Sequence, residues 1–216
     1  MTAKRGEAYV NSPERRRFDI LAASALVPVE MAFRVLAMTQ HPLGHNPILR
    51  QKRMGPNGRI IDVRKMQTLN EDGAPISALM ELFRMNGIDE LPQIGNILAG
   101  DMSITGRRPL IPKEFERQYA IVGADREGAK LVDYHRRTAG IAKPGILSTH
   151  ALQGHRGNES VLTFASRLEL DIYDFEQASL EHTLKLLKLG IHSITHAEMH
   201  NGNIQLSETG VTHPEQ

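Results

Sequence analysis

A cluster of cations followed at once by an apolar stretch constrains this chain more than any other feature. Residues 1–17 carry Lys4, Arg5, Arg15, Arg16 and Arg17 against Glu7 and Glu14, a local net charge of +3, and residues 18–38 read FDILAASALVPVEMAFRVLAM. In membrane proteins that order, basic then apolar, faces anionic headgroups. Yet the uninterrupted apolar run covers only residues 20–29, about half of the roughly 20 residues a spanning helix needs. Glu30 and Arg34 follow it, and Pro28 removes a backbone donor and bends any helix that contains it. Two outcomes fit: a kinked helix dipping into one leaflet, or a helix buried in the core of a soluble protein. A signal peptide is set aside, because the basic region is long and Pro28-Val29-Glu30 is a poor cleavage site.

The remaining composition narrows the field. With 216 residues, 40% of them hydrophobic, the chain supports one domain with a real core. Lys and Arg number 26 against 25 Asp and Glu, so no global field points to nucleic acid as a partner. The absence of cysteine excludes a disulfide framework and a thiolate metal site. Electrostatic function must therefore be local.

Two such places stand out. ILRQKRM and RIIDVRKM flank Gly55-Pro56-Asn57-Gly58, which predicts a β-hairpin. Residues 49–65 hold Arg50, Lys52, Arg53, Arg59, Arg64 and Lys65 against Asp62, a net of +5. This surface suits phosphates or anionic headgroups, and equally a solvated edge whose charges deter aggregation. After a turn at residues 70–76, SALMELFRM predicts a helix capped by Ser77 and closed by Asn86-Gly87. Pro92 then predicts the first turn of a further helix, with Ile94, Ile97 and Leu98 on one face and its end at Gly100. Asp89 and Glu90 fall at that helix's N-terminus. Adjacent helical side chains point about 100° apart, so the two carboxylates are poorly placed to share a proton and well placed to divide tasks around one ligand. A helix N-terminus favours ionised carboxylate, the form a nucleophile or an Mg²⁺ ligand requires; capping alone would use the same residues. The loop that follows, GDMSITGRRPLIP, can present Arg107 and Arg108 to a diphosphate. Metal-binding carboxylates beside a fixed arginine loop suit phosphoryl transfer.

Taken in order, RRRFDIL, the proline-broken apolar segment, NPILRQKRMGPNG, DVRKM, IDELPQIGNILAGDMS, GRRP, KPGI and LDIY resemble the bacterial sugar transferases, the monotopic phosphoglycosyl transferases that act on polyprenol phosphate. The resemblance runs over residues 15–194, and the pairing of DELPQ with GDMS is its most specific part. It implies transfer of a sugar 1-phosphate from a nucleotide sugar, usually a UDP-sugar, to polyprenol phosphate, initiating glycan assembly at the cytoplasmic face of the bacterial inner membrane. It further implies Mg²⁺ and a covalent phosphosugar on an aspartate. On this chain the nucleophile would be Asp89, with Glu90 its partner in metal binding. Lys65, Arg84, Arg107, Arg108 and Lys143 would bind substrate. The family's N-terminal helix enters the membrane, turns at its proline and returns, which favours the dipping helix.

The expected architecture is α+β and mostly helical: a basic arm over residues 1–17, a re-entrant helix over 18–40, a cytosolic catalytic domain with a small hairpin over 41–200, and a disordered tail over 201–216. Three departures from the family pattern motivate an alternative, a catalytically silent relative serving as membrane-bound scaffold or regulator. Arg107 stands where a proline is usual, Gln67 where a cation is usual, and Ser148 where glycine is common. A third reading is a soluble polyanion-binding module built on the hairpin. Elsewhere, His192, His196 and His200 are read as a polar helix face opposite Leu180, Leu184, Leu187, Ile191 and Ile194. Residues 134–140, YHRRTAG, are read as a solvated basic turn.

Overall fold

The computed structural model describes residues 2–152 and 161–195. Helix α1 (Thr2–Val10) leads into α2 (Pro13–Met38), which Ser12 caps by accepting the Arg15 N–H at 3.1 Å, with Pro13 in the first turn. The hairpin follows as β1 (Ile48–Met54) and β2 (Ile60–Met66), antiparallel over seven pairs from Ile48 with Met66 to Met54 with Ile60. Its turn uses Asn57 and Gly58 at positive φ. Helix α3 (Ala78–Met85) is capped by Ser77 and left through Gly87 in the left-handed region, as expected. A 3₁₀ segment, Ile88–Gln93, runs directly into α4 (Ile94–Ala99), which ends at Gly100 with φ 89°. Short strand β3 (Ser103–Thr105) pairs in parallel with β4 (Gly145–Leu147), between which lie α5 (Pro112–Val122) and α6 (Arg126–Ile141). Helices α7 (Thr149–Leu152), α8 (Val161–Glu176) and α9 (Leu180–Thr195) complete the described chain. The α+β, mostly helical class and the small hairpin are as the sequence implied.

Three apolar clusters hold these elements. Ala23 of α2 packs with Ile61, Val63, Ile94, Ile97, Met102 and Ile104, joining α2, β2, α4 and β3. Ala37 at the other end of α2 packs with Met66, Met80 and Phe83, and Phe33 meets Phe83 edge-on at 5.2 Å. Leu110, Phe115, Tyr119, Val122, Val132 and Leu168 form the core between α5, α6 and α8.

Residues 2–10 and 13–17 are helical, with a turn at Asn11 and Ser12 between them, and α2 starts at Pro13. Arg15 is buried: it donates to Ser103 Oγ (2.9 Å), Thr183 Oγ1 (2.6 Å) and Thr105 O (2.6 Å), beside Asp19 at 3.4 Å. Arg16 donates to the Ile97 and Leu98 carbonyls in the last turn of α4. These cations bind the protein itself. Helix α2 continues unbroken through Pro28, and both of its halves pack on the body, so the expected turn at the proline is not seen. Glu30 is buried and accepts from Arg34 Nε at 2.8 Å, the i, i+4 pair that spacing allowed.

Other expectations shift as well. Pro92 lies inside the 3₁₀ segment, and Leu98 faces outward while Ile94 and Ile97 are buried. Helix α9 buries Thr183, Leu186 and Gly190, leaving Leu184 and Ile191 exposed. A helical stripe read from apolar residues alone missed the threonine and glycine that fit closely. Residues 134–140 lie inside α6, with His135 buried and Arg136 and Arg137 outside. His192 is exposed; His196, His200 and the tail over 201–216 lie outside the described residues.

Candidate active site

Asn96 sets the site's frame. Its Oδ1 accepts the Arg64 N–H at 3.1 Å and its Nδ2 donates to the Asp62 carbonyl at 2.7 Å, while its own carbonyl accepts from Asp101 and Met102. A single amide thereby fixes β2 against α4 and the loop beyond. Because side chains alternate along a strand, Ile61 and Val63 point into the core and Lys65, two residues on, points the same way. It meets the 3₁₀ segment. Lys65 Nζ lies 2.8 Å from Asp89 Oδ2 and 3.5 Å from Glu90 Oε1. The same Glu90 oxygen accepts from Arg108 Nη2 at 2.7 Å.

Burial grades this constellation. The Asp89 side chain is 1% exposed, Glu90 15%, Lys65 25% and Arg108 43%. A carboxylate so deeply buried is tolerated because an ammonium group pairs with it. The segment rests on the second apolar cluster through Ile88, beside Ala37 at the end of α2. The site therefore adjoins the helix whose outer side, Leu21, Ala25, Pro28, Met31, Ala32, Val35 and Met38, is exposed and uncharged.

The structure brings together Lys65, Asp89, Glu90 and Arg108, and places Arg107 and Lys143 elsewhere. Arg107 is buried and turned away: its Nη2 donates to the carbonyl of Gly55 at 2.9 Å, with those of Met54 and Ala139 near the same nitrogen. Burial pulls its pKa down, against the raising effect of Asp171. It ties the hairpin turn and α6 to the loop that carries Arg108. Lys143 lines a separate cavity of about 150 Å³ with Arg15, Arg16, Asp19, His135 and Asp171. Burial first, and then the charge of Arg16, lower its pKa. Arg84 is exposed on α3. Among the described residues no cluster of three or more His, Asp or Glu is assembled for a metal.

The three departures also acquire places. Gln67 Oε1 contacts His45 Nε2 at 2.9 Å and its carbonyl contacts His41 Nε2 at 3.2 Å, holding the loop that leaves α2. Ser148 is buried and its Oγ accepts the Ala151 N–H at 3.1 Å, within the first turn of α7. Arg107 is the strut just described. All three serve the framework.

Sequence reasoning passed over Asn96 and Arg53. No spacing rule marks a buried asparagine. Arg53 was one cation among six on the hairpin, and the strand register is the signal that separates it.

A dyad of carboxylates, one buried on a lysine and one bridging lysine to arginine, brings together the residue types that phosphoryl-transfer chemistry uses. The chain belongs to the bacterial sugar transferase family, whose description matches residues 10–197, and it is a transferase enzyme of the phosphoglycosyl transferase type. It is 29% identical over 195 residues to the UDP-glucose:undecaprenyl-phosphate glucose-1-phosphate transferase of Caulobacter vibrioides, covering 83% of this chain and 69% of that protein. Identity to the uncharacterised sugar transferase EpsL of Bacillus subtilis is 25% over 197 residues, 85% and 88% of the two chains. An Escherichia coli protein of the same description as the Caulobacter one is 28% identical over 197 residues, 84% of this chain and 40% of its own length.

Proposed function

We propose that this enzyme transfers a sugar 1-phosphate from a UDP-sugar to undecaprenyl or a related polyprenol phosphate through a covalent intermediate on Asp89. The observation that carries the reading is the pair of contacts Lys65–Asp89 and Arg108–Glu90 in one small, partly open site. In the first step an Asp89 oxygen attacks the sugar-bearing phosphorus, and the bond from that phosphorus to the UMP oxygen breaks. Lys65 orients the nucleophile, while Arg108 neutralises charge on the phosphoryl oxygens. In the second step an oxygen of the lipid phosphate attacks the same phosphorus and returns Asp89 to its carboxylate. Ping-pong kinetics follow.

The donor set fits Mg²⁺: Asp89 and Glu90 are adjacent hard oxygen ligands, and this ion commonly takes one or two carboxylates together with water and substrate phosphates. When bound it would neutralise diphosphate charge. The names of the Caulobacter and Escherichia coli relatives, which specify UDP-glucose and undecaprenyl phosphate, support both substrate classes. For the lipid, the exposed apolar side of α2 beside the site supplies an interfacial face, which we place at the cytoplasmic leaflet of the inner membrane in a monotopic arrangement. The silent-relative alternative loses its motive, since Gln67, Arg107 and Ser148 sit in framework contacts away from Asp89.

The test is a panel of UDP-sugars with Mg²⁺ and undecaprenyl phosphate. The full chain in nanodiscs is expected to release UMP with at least one sugar, and Asp89→Asn to release none above background. Removing Mg²⁺ with EDTA should stop turnover, and adding it back should restore it. Equal UMP release by wild type and Asp89→Asn contradicts the reading.

A further inference from the structure

Arg53 is the feature of the site region that the proposed chemistry has not used. In an antiparallel pair, directly opposed residues share a face, and so do alternate residues along each strand. The register opposes Leu49 to Lys65, Gln51 to Val63 and Arg53 to Ile61. Gln51 and Arg53 therefore stand on the same face as Lys65, the face that covers the dyad. Arg53 Nη2 donates to Gln51 Oε1 at 2.6 Å, which fixes the plane of the guanidinium and engages one of its five donors. Its charged surroundings are Arg108 and Glu90 of the site, Glu114 of α5 and Arg167 of α8. Burial and the like charge of Arg108 lower its pKa, an effect that Glu114 and Glu90 partly offset. Two guanidinium groups held near each other repel, and such an arrangement is characteristic of sites that receive an anion.

A diphosphate presents two phosphoryl groups, and the contacts described so far serve one. Lys65 and Arg108 are bound to the dyad and so lie beside the phosphorus that Asp89 attacks. The other phosphate gains charge as its bridging bond breaks and needs its own donor. The geometry points to Arg53, oriented by Gln51, as the group that binds the departing nucleoside monophosphate. This assignment rests on the phosphoglycosyl transferase reading.

The experiment uses the full chain in nanodiscs, with UMP as the probe in calorimetry and UDP-sugars as donors in turnover. Arg53→Ala is expected to weaken UMP about ten- to a hundredfold, the loss of a charge-assisted hydrogen bond, and to lower kcat/KM for the donor by at least as much. Guanidinium ion at millimolar concentration should restore part of that turnover, which a structural strut would not permit. Arg53→Lys keeps the charge without the fork and should fall between the two. Thermal melting checks that each variant folds. Wild-type UMP affinity and kcat/KM in Arg53→Ala, with the parent active, overturn this inference and leave the transferase reading intact. A parent that neither binds UMP nor turns over any UDP-sugar overturns the reading, and this inference with it.

Discussion

Arg107 and Arg108 are neighbours in sequence with opposite fates. Arg108 faces the dyad; Arg107 is buried with its guanidinium on backbone carbonyls of the hairpin turn and α6. The Arg107→Met variant keeps the stem and leaves those carbonyls unpaired, so denaturant unfolding should show a loss of about 2 kcal/mol. Turnover should fall as well, because the loop carrying Arg108 loses its strut. Gly106 makes the same loop possible: with φ 152° it tolerates a conformation that side chains rarely adopt, and a Cβ there would sit 2.7 Å from the Lys143 carbonyl. The dyad stood out in the sequence beside a helix start and an arginine loop, and Lys65 was singled out through the family resemblance; the fold sets the three side by side. The inward turn of Arg107 was not legible there, since two consecutive arginines look alike until the chain's reversal points one of them inside.

At the scale of elements, α2 shows how one helix serves two environments. Its inner line, Asp19, Ala23, Glu30 and Ala37, is buried along the body, and its outer line is apolar and exposed. Arg15 and Asp19 are the anchor: Asp19 accepts from Ser103 Oγ at 2.6 Å and from the Ile104 N–H at 3.0 Å, and Arg15 bridges to β3 and α9. Arg15→Met leaves Asp19 buried without its cation, so we expect a loss of about 3–5 kcal/mol. Hydrogen exchange should locate the opening at the start of α2 and in β3. The basic cluster and the apolar run were visible in the sequence, as was the hairpin around its turn residues. What stayed hidden was the use of Arg15 and Arg16 inside the protein, because their partners lie roughly 80 to 170 residues away along the chain. Local charge counting cannot see such partners.

For the whole molecule, the distribution of apolar surface matters most. A soluble helix turns its apolar side inward, whereas α2 also keeps an uncharged outer side next to the dyad. The parent should remain with membranes after a high-salt wash, since attachment through apolar area is insensitive to ionic strength. Replacing Leu21 and Val35 together by Glu, on residues 71% and 62% exposed, should move the protein to the soluble fraction while leaving its unfolding midpoint nearly unchanged. Retention of that double variant on membranes would contradict the interfacial placement of α2. The family resemblance conveyed the activity class from sequence; the continuous packing of α2 on the catalytic body required the tertiary structure.

On the proposed mechanism Asp89 carries the sugar phosphate between donor and lipid. Intact-protein mass spectrometry of a reaction quenched with UDP-sugar and Mg²⁺ present, and no lipid phosphate, tests it most directly. The protein should gain the mass of one sugar phosphate, mapped to Asp89 and lost when polyprenol phosphate is added. An enzyme that turns over yet never gains that mass, or gains it on another side chain, would rule out Asp89 as the carrier.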